Sequence, residues 1–120
     1  MPVRSTSRQT LYSQQVINTA NENSASINCA NYTEAVVYIR VTAKAGTSPT
    51  LDLDVEMSDD NTNWHKKSDV TQISDPTVTF RADVVSVTNL GQYIRLNNPT
   101  APGGSSTPTM TVDAFIILKN

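Results

Sequence analysis

The chain lacks most of what catalysis and metal binding need. Among 120 residues there is one histidine and one cysteine. His65 alone cannot build a histidine-based zinc cluster. Cys29 alone cannot close an intrachain disulfide, and a lone thiol fits a chain made in a reducing compartment. Four glycines, two of them adjacent at Gly103-Gly104, leave no glycine-rich phosphate loop. Charged residues are 17% of the chain and the net charge is −2, so there is no basic excess to suggest nucleic acid as a partner. No apolar run approaches the roughly 20 residues that span a bilayer. Residues 1–10 carry Arg4 and Arg8 without an apolar stretch, so no signal peptide is expected there. No segment is long and periodic enough to predict a helix.

What the chain does have is alternation. Leu51, Leu53, Val55 and Met57 interleave with Asp52, Asp54 and Glu56, a pattern that only a strand gathers onto two clean faces. Val37, Ile39, Val41 and Ala43 alternate in the same way with Tyr38, Arg40 and Thr42. A second copy of this arrangement follows. Tyr38-Ile39-Arg40 recurs as Tyr93-Ile94-Arg95, 55 positions on, and Pro49-Thr50 as Pro108-Thr109, 59 positions on. Each copy reads as a hairpin, the second with four more residues in its turn. With turn signals between about eight short strands, the expected fold is an all-β antiparallel sandwich, jelly-roll-like, in one domain. Its boundaries are residues 10–120, preceded by a polar, basic, extended arm over residues 1–9. The expected core includes Val37, Ile39, Val41, Leu53, Val55, Met57, Ile94, Leu96, Val112 and Ile116. Residues 98–108 are expected to form an exposed loop.

The candidate chemistry is thin. Asp52, Asp54 and Glu56 would project from one strand about 7 Å apart in the same direction, not across a sugar as glycoside hydrolysis needs. Ion pairs explain them better, with Arg40 to Asp52 or Asp54 and Arg95 to Asp113 across strands. Asp59, Asn61 and Asn63 mimic the start of a calcium loop, but Trp64 stands where that loop needs glycine and Val70 where it needs glutamate. His65, Ser68 and Asp69 are close in sequence, but a triad needs its members brought together by the fold, and nothing suggests an oxyanion-hole turn. With His65 placed in a distant loop, Cys29 has no second histidine to serve as base. No catalytic, metal or cofactor site is expected, and the chain does not read as an enzyme.

Two resemblances follow from the residues 58–64, Ser-Asp-Asp-Asn-Thr-Asn-Trp, and the later Gly91-Gln92-Tyr93-Ile94-Arg95-Leu96. They are similar to motifs of discoidin-type binding sandwiches, whose turns end in Trp. Over residues 36–118 the Thr- and Asn-rich, charge-poor chain also resembles small β-sandwich structural proteins of tailed bacteriophages, of the head decoration or cement type. That resemblance implies a virion protein made in the host cytoplasm, sitting on the capsid surface, with the major capsid protein as partner. It further implies a homotrimer, and neither nucleic acid nor membrane as partner. Arg4 and Arg8 on the arm are the expected partner-binding residues. A glycan- or receptor-binding module of a tail or spike, or another small tail or connector component, is the alternative.

Overall fold

The structure, a computed structural model, describes residues 5–77 and 79–120, and these described residues form ten strands in two antiparallel sheets. The larger sheet is built on two long strands, β3 (Glu34–Leu51) and β10 (Gly103–Lys119). β1 (Thr6–Ile17) flanks β10, and three short strands lie along the far edge of β3: β6 (Ile73–Ser74), β7 (Phe80–Arg81) and β8 (Val85–Thr88). The smaller sheet has the order β2 (Ile27–Asn28), β9 (Tyr93–Asn97), β4 (Asp54–Ser58), β5 (His65–Asp69).

The alternation read from the sequence sets which side chains meet between the sheets. Val37, Ile39, Val41, Leu53, Val55, Ile94, Leu96, Val112 and Ile116 are all buried in one cluster, and Met57 packs half-buried against it. Burying each such side chain contributes about 1.5–3 kcal/mol, which is what holds the two layers face to face. Asn98 is buried as well. Its amide donates to the carbonyls of Thr19 and Thr100 (2.6 and 3.1 Å), and its side-chain oxygen accepts from the Glu22 amide (2.9 Å). It thereby ties the loop after β1 to the end of β9.

The internal repeat is real, but its copies are not hairpins. β3 runs straight through the segment expected to turn, and the chain changes sheet at Asp52-Leu53, between β3 and β4. In the second copy β9 and β10 likewise lie in different sheets. Each copy pairs with the other instead: β3 with β10, and β4 with β9. The two copies interlock, one strand of each in each sheet.

Where a turn was expected, β3 and β10 together form a two-stranded ribbon of residues 45–49 and 104–109. The expected exposed loop of residues 98–108 therefore ends early, because its second half joins β10. Bulges and positive φ angles at Gly46, Ser48, Gly104, Ser106 and Thr107 let the ribbon twist without ending. Glycine is required at two of these positions. A Cβ on Gly46 would stand 2.7 Å from the Cα of Pro108, and one on Gly104 would stand 2.7 Å from the carbonyl oxygen of Thr47. Gly46→Ala is therefore expected to cost about 1–3 kcal/mol. Hydrogen exchange should show the loss confined first to the ribbon amides.

Two further expectations are corrected. Residues 6–9 are not a free arm: Thr6, Ser7, Arg8 and Gln9 pair with Lys119, Leu118, Ile117 and Ile116. Their side chains are polar because β1 is an edge strand, and a polar edge strand looks like a tail in sequence. β5 was not expected at all. Its His65, Lys66 and Lys67 carry no apolar alternation, because charge on an edge strand keeps other chains from pairing with it.

Candidate functional site

The outward side chains of β3 and β10 form the most distinctive surface of the molecule. Val37, Ile39, Ala114 and Ile116 point inward, so Tyr38, Arg40, Asp113 and Phe115 point out. The register sets Tyr38 opposite Phe115 and Arg40 opposite Asp113. The two rings stack with centroids 4.9 Å apart and planes 13° from parallel. Tyr38 remains 37% exposed and lines the same groove as Phe115 and the exposed Val84.

Three arginines surround this stack. The guanidinium of Arg8, from β1, lies over the Phe115 ring at 4.2 Å, and that of Arg40 reaches within 6.0 Å of the same ring. Arg81 of β7 stands directly opposite Arg40 in the strand register. Like charges directly opposite each other weaken a sheet, by about 0.2–1 kcal/mol. The one acidic group at the centre relieves this little. Asp113 accepts two hydrogen bonds from Gln14, from its backbone amide at 2.8 Å and its side-chain amide at 2.6 Å, while Arg40 is 4.0 Å away. A bulge in β1, with Gln14 at positive φ, turns that residue over Asp113. Val84, 53% exposed, lines a groove of about 380 Å³ together with Tyr38, Arg40, Arg81 and Phe115. Aromatic rings and arginines around a small apolar centre are what binding surfaces concentrate.

Of the two expected partner-binding residues, Arg8 belongs to this face, and Arg4 lies outside the described residues. Arg81, Tyr38 and Phe115 were not anticipated. Their meeting depends on strand register between segments far apart in sequence, and no local pattern announces it.

The outer face of the smaller sheet carries a related arrangement that is internally satisfied. Arg95 pairs with Glu56 at 2.8 Å, both side chains mostly buried, and its guanidinium covers the Trp64 ring at 4.1 Å. The expected ion pairs are thus exchanged: Arg40 faces Asp113 and Arg95 faces Glu56, because strands pair between the repeat copies and not within them. Trp64 sits on this outer face, beneath Arg95. With one ring face under Arg95, it is a poor platform for a sugar. Asp54 is held by Lys66 at 4.0 Å, and burial, more than any charge, pushes its carboxyl above the usual range.

The turn before Trp64 spends its carboxylate on itself. Asp60 accepts from the backbone amides of Asn63 and Thr62 (2.8 and 2.9 Å), from the Asn63 side chain and from Ser58. Those bonds, Asn63 first, hold its carboxyl well below the ordinary carboxylate range. A depressed folded-state pKa stabilises above the unfolded value near 3.9 and loses that contribution as pH falls toward the folded one. Thermal melts from neutral pH into acid should therefore fall more steeply for the wild type than for Asp60→Asn. Parallel curves would remove Asp60 as the support of this turn. Cys29 is fully buried and its thiol donates to the Gly91 carbonyl at 3.5 Å; burial pushes its pKa up, away from reactivity.

The sequence matches no protein-family model and no curated protein significantly. The fold does match solved structures. One is the crystal structure of the SPBc2 prophage-derived protein YomS, with a TM-score of 0.60 over 100% of this chain and 97% of that one, at 9% sequence identity. The chain thus shares its all-β, two-sheet fold with a prophage-derived protein.

Proposed function

We propose that this chain is a non-enzymatic structural protein of a tailed-bacteriophage particle, made in the host cytoplasm. In this reading it decorates the outer surface of the head, binds the major coat protein and braces the shell. The observation that carries it is the outer face of the larger sheet: a stacked aromatic pair with three arginines around it, on a two-layer body. Such a face costs stability as it stands and makes sense as a surface that is covered in use. The fold shared with a prophage-derived protein supports the particle assignment. The reading needs no cofactor and takes neither nucleic acid nor membrane as partner.

A second feature supports assembly with further copies, most simply a trimer. Residues 45–48 and 104–107 of the ribbon are exposed and carry no charge, and Lys44 beside them is tied to Asp75 at 2.7 Å. An uncharged two-stranded ribbon is marginal alone and invites pairing with another chain. The same ribbon favours one alternative, a small tail or connector component, where an exposed ribbon would link neighbours in a ring.

Immunogold labelling and mass spectrometry of purified particles test the assignment. The expected result is label over the head exterior and a fixed ratio to the coat protein. Label confined to the tail or connector would favour the alternative, and absence from particles would overturn both.

A further inference from the structure

We propose that the outer face of the larger sheet recognises an acidic, extended peptide segment of another protein, its carboxylates seated on Arg8, Arg40 and Arg81 and an apolar side chain lying on the Tyr38–Phe115 stack. This deepens the reading of that face as a docking surface by naming the chemistry of the partner.

Charge decides the occupant. The chain as a whole is acidic, at −2, yet this face gathers three guanidiniums. Two of them stand directly opposite one another in the register of β3 and β7. Asp113, the carboxylate among them, gives both oxygens to Gln14 at 2.8 and 2.6 Å and stands 4.0 Å from Arg40, the outer limit of an ion pair. Guanidiniums bind carboxylates in forked, charge-assisted pairs, so each arginine here is a seat for one. The groove beside the rings, with exposed Val84 on its rim, has room for one apolar side chain. A segment in strand conformation turns alternate side chains to one side, so that several carboxylates and one apolar side chain can face the sheet together.

A second copy of this chain fits less well, because most of its own carboxylates are already in use. Glu56 is paired with Arg95 at 2.8 Å, Asp75 with Lys44 at 2.7 Å and Asp69 with Lys66 at 2.5 Å. Asp60 is committed to its turn, and Asp52 accepts from Gln72 at 3.1 Å. Breaking such bonds to make new ones gains little, whereas a foreign segment with unpaired carboxylates gains the whole interaction.

The test is titration of the intact protein, followed by amide chemical shifts, with a short capped peptide alternating glutamate with other residues and carrying one central leucine. Its glutamine counterpart and a short single-stranded oligonucleotide serve as comparison ligands. The expected result is saturable shifts clustered at Arg8, Tyr38, Arg40, Arg81 and Phe115, about tenfold weaker binding for each of Arg40→Gln and Arg81→Gln, and no change for Lys67→Gln on β5. Melting curves confirm that the variants fold. The proposal is overturned if the acidic peptide gives no shifts on this face, if the glutamine peptide binds equally, if the oligonucleotide binds tighter, or if the same shifts arise from self-association. Attachment to heads without peptide binding would sink this inference and leave the particle assignment standing. Peptide binding without any presence in particles would do the reverse.

Discussion

Leu53→Asn is expected to destabilise the protein by about 3–5 kcal/mol, enough to consume a large share of the stability of a domain this size. Leu53 is 1% exposed and lies where the chain passes from the larger sheet to the smaller. Its carbonyl accepts from the Val70 amide at 3.0 Å, so the backbone there is fixed and cannot move to hydrate a polar side chain. Asn would lose the apolar burial and leave its own amide without a partner. The neighbouring Asp54→Asn should change stability by less than about 1 kcal/mol. Burial already penalises the Asp54 charge, and removing it relieves that penalty while giving up Lys66. Chemical denaturation of both variants checks the pair. Equal losses would mean that the inward and outward faces are wrongly assigned.

Arg81→Glu is expected to do two opposite things. In the isolated protein it converts the Arg40–Arg81 opposition into an attractive pair, raising stability by about 0.2–1 kcal/mol. At the docking surface it places a negative charge where an acidic partner needs a positive one. Like charges brought together at an interface cost several kcal/mol, so attachment should fall about a hundredfold or more. A variant that melts higher and binds far worse is the signature of a residue kept for binding at the expense of stability. Loss of both together would show that Arg81 supports the fold, and the docking role would fail.

How far these features could be read from sequence depends on their range. The alternation of residues 53–57 and of β9 is local, and the residues it marked inward, Leu53, Val55, Ile94 and Leu96, are buried, whereas Leu11, Ile17, Ile73, Met110 and Leu118 of the same core were not among those expected. Pairing is not local. The turn-like Gly46-Thr47-Ser48-Pro49 continues as strand only because Gly103 to Pro108, far along the chain, offers a matching bulged partner. Exchange of partners between the repeats moved Arg40 to Asp113 and Arg95 to Glu56 for the same reason. The polar edge strands β5 and the start of β1 carry no apolar signal, since water and not the core receives their side chains. The candidate site suffers most, because Arg8, Arg40 and Arg81 come from three strands that only the folded sheet aligns. Arg8 was legible as an unexplained basic residue, but its place over Phe115 was not.

Photo-crosslinking from position 84 in intact particles tests the central claim most directly. Val84 lies exposed at the rim of the groove beside Tyr38 and Phe115, so a benzophenone amino acid there should leave the fold intact and report what covers this face. The same group at Lys67, on β5 of the opposite sheet, is the comparison. The account predicts an adduct with the major coat protein from position 84 and little or none from position 67, with the crosslinked coat peptide rich in acidic residues. An adduct with coat protein from position 67 alone, or from position 84 only with tail proteins, would contradict it.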